Sequence, residues 1–235
     1  MVQALVTGGG GYLGSVLCLE LLRSGHKVVA LDNLSFGGQA LLPLLQHDDF
    51  RFVAGDLRDP EAVGRALDST SVVVHLGAIV GDPACAAAPE LAVAVNEGAS
   101  LALLRQASAA GVGRFVFAST CSNYGKMADT SVLATEEHEL RPVSLYAETK
   151  VAVEKELLSG RHAGLCPTVL RFATLYGLSP RTRFDLTVNQ FAAEMHVTGK
   201  LTVFGEQFWR PYVHVRDAAR AIIACLEAPD GAVGG

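Results

Sequence analysis

The chain has 235 residues, 50% of them hydrophobic and 18% charged, with a formal net charge of −5. That length holds one generous α/β domain, or a large domain with part of a smaller one, and the acidic balance without a basic block excludes nucleic acid and anionic membrane as partners. The five cysteines (Cys18, Cys85, Cys121, Cys166 and Cys225) are odd in number and lack metal-ligand spacing, and no apolar run approaches membrane-spanning length, so the chain reads as a cytoplasmic protein with reduced thiols, no metal site and no leader.

Ala4 to Val6 suits a buried parallel strand, and a helix is expected over about Tyr12 to Ser24. Between them Gly8, Gly11 and Gly14 let the chain turn tightly and approach a diphosphate, at which the helix amides would point. The same glycine run also suits a plain flexible turn. Lys27 to Leu31 is the second strand and ends at Asp32-Asn33. A carboxylate there can accept hydrogen bonds from adenosine ribose hydroxyls and repels the extra phosphate of NADP; the alternative is an ordinary strand-end turn residue. Phe50 to Ala54 is the third strand, after which Asp56 either caps a helix near Pro60 or meets an adenine amino group. Ser71 to Leu76 is the fourth, ending in Gly77-Ala78, with His75 read as a packed strand residue. A long helix follows from about Pro89 to Gly111, apolar around much of its circumference, so that one face meets the sheet and another a partner subunit. Asn96 within it is either exposed or needs a buried partner.

Arg114 to Ala118 is the fifth strand and delivers Ser119-Thr120-Cys121-Ser122-Asn123-Tyr124-Gly125 at its C-terminal end, where open α/β sheets bind ligands. Lys126 to Pro142 reads as a long loop. Ser144 caps a helix over about Leu145 to Ser159, which sets Tyr146 and Lys150 one turn apart on one face. Pro167 to Leu170 is the sixth strand. Beyond Ser179 the alternation loosens into a helix over Leu186 to His196, short strands at Leu201 to Phe204 and Pro211 to Val213, and a final helix over Val215 to Glu227.

A phenol with a nearby ammonium is an acid/base unit, because Lys150 is expected to lower the pKa of Tyr146, and Thr120 could hydrogen-bond the same substrate oxygen. A tyrosine four residues before a lysine is more often a solvated helix pair. Here the pair follows a strand that ends in hydroxyls, which favours chemistry.

With these motifs in order, together with Gly55-Asp56-Leu57, His75-Leu76-Gly77-Ala78 and Arg210-Pro-Tyr-Val-His214-Val, the sequence resembles the extended short-chain dehydrogenase/reductases, specifically the NAD-dependent nucleotide-sugar epimerase/dehydratase group. The resemblance implies a doubly wound, Rossmann-type α/β fold. Residues 1–178 would form the NAD domain and 179–235 part of a small substrate region whose last helix, 215–228, packs back on the core. It implies NAD contacts from Gly8, Gly11, Tyr12, Leu13, Asp32, Asn33, Asp56, Leu57, Leu76, Ala78, Asn96, Tyr146, Lys150 and Phe172. Thr120, Tyr146 and Lys150 would be catalytic, and Thr120, Cys121, Ser122, Tyr146, Thr174 and Arg210 would meet a nucleotide-diphosphate sugar. A homodimer through a four-helix bundle, built from helices near 89–110 and 145–159, is implied as well.

Two departures refine this. Cys121 and Ser122 stand where sugar 4,6-dehydratases carry Asp and Glu, which disfavours dehydration and fits 4-epimerisation. Thr174 and Leu175 stand where Asn and Pro are common, which leaves the sugar contacts open. Members of the group also continue for several tens of residues further, so the chain is expected to be incomplete. The rival readings are a nucleotide-sugar reductase or dehydrogenase, and a non-catalytic NAD-binding protein.

Overall fold

The structure is a computed structural model that describes residues 1–127, 132–207 and 209–234. Six strands, β1 (Gln3–Thr7), β2 (Lys27–Asp32), β3 (Phe50–Ala54), β4 (Val72–His75), β5 (Arg114–Thr120) and β6 (Cys166–Phe172), form one parallel sheet in the order β3-β2-β1-β4-β5-β6. Its strands read as unbroken apolar runs because both faces are covered. Alternate residues serve opposite layers. Ala4, Val6, Val28, Ala30, Val74 and Val116 face α1 (Tyr12–Arg23), while Leu5, Val29, Leu31, Val73, Phe115 and Phe117 face α2 (Pro60–Leu67) and two longer helices. These are α5 (Ser100–Ala109) and α6 (Leu145–Leu157). The strand order reverses between β1 and β4, which opens a crevice beyond their C-terminal ends.

The expected helix from Pro89 is continuous in direction but not in winding. A short α3 (Asp82–Ala87) precedes α4 (Pro89–Ala92), and a π-helical segment (Val93–Ala99) joins α4 to α5. Asn96 within that segment and Ser100, four residues on, both face inward, where each is 1% exposed.

Beyond β6 lie β7 (Thr174–Tyr176), α7 (Thr187–Thr198), β8 (Tyr212–His214) and α8 (Val215–Glu227). β7 and β8 pair in parallel as a separate two-stranded sheet. Ile222 and Leu226 of α8 enter the same cluster as Leu17 and Leu21 of α1. The buried Arg114 guanidinium donates to the carbonyls of Cys225 and Leu226 and pairs with Asp230, which satisfies carbonyls that a helix end leaves open. The strand expected at Leu201 to Phe204 does not form. That run is irregular and exposed, with Phe204 at the surface, because the small sheet pairs β7 with β8 and offers it no partner strand among the described residues. Of the loop expected over Lys126 to Pro142, residues 128–131 lie outside the described residues; the remainder is irregular. No helix among the described residues is long and apolar enough to cross a membrane.

Candidate active site

The glycine turn connects β1 to α1 at the sheet's switch point. Gly8 has φ +70°, and a Cβ there would lie 2.9 Å from the Cα of Gly77, so only glycine fits between the two strand ends. A Cβ on Gly14 would meet the carbonyl oxygen of Gly8 at 2.1 Å; its absence lets α1 press against the turn. Gly11, the residue before α1, has no side chain to cap the helix, which leaves the amides of Tyr12 and Leu13 for an anion.

Asp32 stands beside this turn, its Oδ2 accepting the Gly10 N–H at 2.9 Å and its Oδ1 the Leu34 N–H at 2.8 Å. Asn33 donates to Asp56 at 3.3 Å. Asp56 does not cap the helix near Pro60. Both its oxygens take the Arg58 guanidinium, at 2.8 and 2.9 Å, and that contact holds its carboxyl well below the usual range. Asp59 caps α2 instead. Leu57, Leu76 and Ala78 are half-buried, and a Cβ on Gly77 would lie 2.7 Å from Leu57 Cδ1, so Leu57 and the end of β4 are close neighbours. The Asn96 amide is buried and holds both the N–H and the C=O of Ile79, at 2.8 and 2.9 Å. It shapes the segment after β4 and does not project into the crevice itself.

Hydrogen-bond accounting fixes the state of His75. Thr7 Oγ1 accepts from the N–H groups of Leu76 and Gly77, at 3.2 and 3.1 Å, so its own proton goes to His75 Nδ1, 2.7 Å away. His75 Nε2 then carries the ring proton and donates to Ser100 Oγ at 2.8 Å, and Ser100 donates to the carbonyl of Val95. Burial, with the Lys150 charge, pulls the His75 pKa down to about 3, which agrees with a neutral ring. His75 is therefore a packed residue of the strand, and it joins the glycine turn to the π-helical segment.

Across the sheet, β5 ends at Thr120, whose Oγ1 accepts the Ser122 N–H at 3.1 Å. α6 is capped by the Ser144 hydroxyl and brings Tyr146 and Lys150 to that strand end. Lys150 is 3% exposed, donates to the Ala118 carbonyl at 2.8 Å and lies over the Phe117 ring, 4.6 Å from its centroid. Burial pulls its pKa down to about 8, opposed by Cys85 and Glu154.

Tyr146 differs from expectation. Burial pushes its pKa up, and among its neighbours the charge that draws it back is Arg183. The Lys150 ammonium is 5.9 Å from the Tyr146 ring and is itself desolvated and turned to Ala118. Cys121 is half-buried, its thiol pushed up by burial and drawn down by Arg210, as expected of an unreactive side chain; Ser122 is exposed. Phe172 is the register partner of Thr120. Thr174 lies on β7 opposite Tyr212, and Arg210 is exposed on the irregular segment before β8.

Sequence reasoning missed the network beneath these groups. Glu154, one turn past Lys150 on the same face of α6, is 1% exposed. Its carboxylate takes the Arg171 guanidinium at 2.8 and 3.1 Å, the Asn123 amide at 2.7 Å and the Ser119 hydroxyl. Arg171 in turn donates to the Tyr124 hydroxyl at 3.0 Å. Extending the Tyr146–Lys150 spacing by four residues would have found the carboxylate, though not its partner on a distant strand.

The NAD dependent epimerase/dehydratase family profile matches residues 4–235. The chain belongs to that family. A UDP-glucose 4-epimerase of Corynebacterium glutamicum is 32% identical, the match covering 97% of this chain and 71% of that protein. Among solved structures, the Thermus thermophilus UDP-glucose 4-epimerase complex with NAD matches with a TM-score of 0.83 at 32% identity, covering 97% of this chain and 75% of the other. The Thermotoga maritima UDP-glucose 4-epimerase with UDP-glucose matches with a TM-score of 0.85 at 31% identity, over 96% and 73%. Family membership gives the crevice its ligand class, and the glycine cradle and open α1 amides suit the diphosphate of NAD.

Proposed function

We propose that this chain is an NAD-dependent nucleotide-sugar epimerase that inverts the sugar at its 4-position. The observation that carries the reading is the convergence of Thr120, Tyr146 and Lys150 at the C-terminal end of β5, beside a glycine turn fit for a dinucleotide. Gly8, Gly11, Tyr12 and Leu13 would hold the diphosphate and Asp32 the adenosine ribose, with Asn33, Asp56 and Leu57 toward the adenine. Leu76, Ala78 and Phe172 would wall the remainder, and Asn96 would act through Ile79. NAD, when bound, would supply the hydride acceptor for oxidation at the 4-carbon and the hydride donor for the reduction that follows.

Tyr146 takes the proton of the 4-hydroxyl as the carbon is oxidised and gives it back on reduction. Thr120 holds the same oxygen by a hydrogen bond, and Arg183 is the charge that draws Tyr146 toward its phenolate, while Lys150 stays bound to the Ala118 carbonyl 5.9 Å from the phenol ring. Cys121 and Ser122 offer no carboxylate pair to shift a proton from the next carbon, so the ketone is reduced again and does not go on to eliminate water. Arg210 would meet the diphosphate of the sugar nucleotide and Thr174 the sugar. The protein would work in the cytoplasm as a homodimer, with α4, α5 and α6 forming the bundle.

The deciding experiment is incubation with a panel of nucleotide sugars without added cofactor, following stereochemistry by NMR. A 4-epimer should form with no net change in nicotinamide absorbance. A stoichiometric absorbance change would instead establish a reductase or dehydrogenase. Tyr146→Phe should lower turnover by roughly a hundredfold or more while NAD stays bound; unchanged turnover would remove Tyr146 from the chemistry, and a parent that binds NAD but turns over no nucleotide sugar would be a binding protein only.

A further inference from the structure

We infer that Phe36 and Arg181 form a latch across the dinucleotide crevice that keeps NAD bound between turnovers. This rests on the NAD reading above and adds to it two residues that no sequence motif marks. The two arrive from opposite directions. Phe36 belongs to the loop after Asp32, on the ribose side of the glycine turn. Arg181 belongs to the turn after β7, which lies on the other flank.

That second turn is tied to the start of α1. The Tyr12 hydroxyl donates to the Gly177 carbonyl at 2.6 Å, and the Ser179 hydroxyl donates to the Tyr12 carbonyl at 2.7 Å with Ser15 Oγ 3.1 Å away. Asn189 braces it from α7, accepting the Gly177 N–H at 2.9 Å and donating to the Tyr12 hydroxyl at 3.1 Å. Within the turn, Thr182 donates to the Ser179 carbonyl at 2.7 Å. Arg181 is therefore presented from a fixed base.

The opposite loop is held in a costly shape. Leu34 has φ +57°, in the left-handed region that favours glycine, and its N–H is bound by the Asp32 carboxylate at 2.8 Å. Gly37 has φ +84°. This pair of left-handed residues turns Phe36 outward. Phe36 is 71% exposed, yet the Arg181 guanidinium carbon lies 3.9 Å from the centroid of its ring. The contact joins the loop after Asp32, which holds the Gly10 N–H, to the turn after β7, which is tied to Tyr12 at the start of α1, so the two flanks of the glycine turn are linked. Asp32 lies close enough for its charge to act on Arg181.

A cofactor seated on the α1 amides with its ribose at Asp32 would lie beneath this contact, and leaving toward the adenine side would require the pair to part. An epimerase returns the hydride it has taken, so the cofactor must stay through both transfers. A latch made from an aromatic face and a guanidinium can open without breaking a backbone hydrogen bond, which permits loading.

The test loads the purified protein with NADH and follows loss of its bound fluorescence on dilution into excess NAD. Phe36→Leu and Arg181→Gln should each speed release by roughly threefold to tenfold. Phe36→Tyr, which keeps the ring face, should stay within about twofold of the parent. The double variant should release no faster than the faster single one, because both changes remove the same contact. Release unchanged in both single variants, or single effects that multiply in the double variant, would overturn the latch while leaving the cofactor reading intact. A parent protein that takes up no NADH would overturn both.

Discussion

Glu154 is a carboxylate with almost no solvent contact, and such a group persists only when every oxygen is engaged. Here Arg171, Asn123 and Ser119 engage it, and the Asn123 amide must turn its NH2 toward Glu154, since an oxygen there would face a negative charge. The same charge helps Lys150 keep its proton against burial. Lys150, with its pKa near 8, is protonated below that value and loses its charge as pH rises through it. A step that needs the ammonium should therefore weaken above about pH 8. In Glu154→Gln the carboxylate that raises the Lys150 pKa is gone, so the alkaline limb of kcat/KM should move to lower pH by about one unit. The change also leaves Arg171 without its buried partner and should cost ~3 kcal/mol of stability, measured by denaturant unfolding. Ser119→Ala, which removes one hydroxyl and no charge, should leave the limb in place. A limb that ignored Glu154→Gln would show that Lys150 does not set it.

At the scale of elements, the turn between β1 and α1 depends on side chains that are not there. In Gly14→Ala the new Cβ would strike backbone of Gly8 and Gly9, at 2.1 to 2.9 Å, which cannot give as a flexible side chain could. The helix must lift from the turn, so a loss of ~2–3 kcal/mol is expected, together with loss of co-purifying NAD. Gly64→Ala in α2 is the opposite case. A Cβ there meets nothing within 4 Å, and the helix interior gains an alanine, so stability should rise by ~0.5–1 kcal/mol in the same unfolding assay. The contrast shows why glycine spacing was legible only in part: Gly14 answers to the turn beside it, within reach of a local pattern, whereas the close approach that requires Gly8 comes from Gly77, beyond β4. The six core strands were legible for a related reason, since burial on both faces writes them as apolar runs. The Leu201 to Phe204 run looked alike but lacked a neighbouring strand, and pairing is not a local property. The Glu154–Arg171 pair, the Thr7–His75–Ser100 chain and the Phe36–Arg181 contact were hidden similarly, because each joins residues that only the finished sheet brings together. The pKa of Tyr146 was misjudged because chain spacing gives proximity to Lys150 but neither where the ammonium turns nor how deeply both groups sit.

Across the whole molecule, one sheet and its two helical layers account for most of the buried apolar surface, with α8 returning from the C-terminal region to close the layer of α1. What the layers leave outward is uneven. On α4 and the π-helical segment, Leu91 is 40% and Val93 42% exposed, and Ala94 is exposed as well. Helices that only cover a sheet put polar residues on that side. Leu91 and Ala94, three residues apart, share one edge, where the small residue allows another helix to approach closely, and a two-fold axis would set the same face against itself. Sedimentation equilibrium should accordingly find a dimer. Ala94→Arg sets a long cation on this face without touching the sheet or the crevice, so it should shift the protein toward monomer while its circular dichroism and NAD content stay those of the parent. If the arginine variant remained a dimer, the contact would have to lie elsewhere on the surface. If the parent itself sedimented as a monomer, the apolar face would not be a subunit interface.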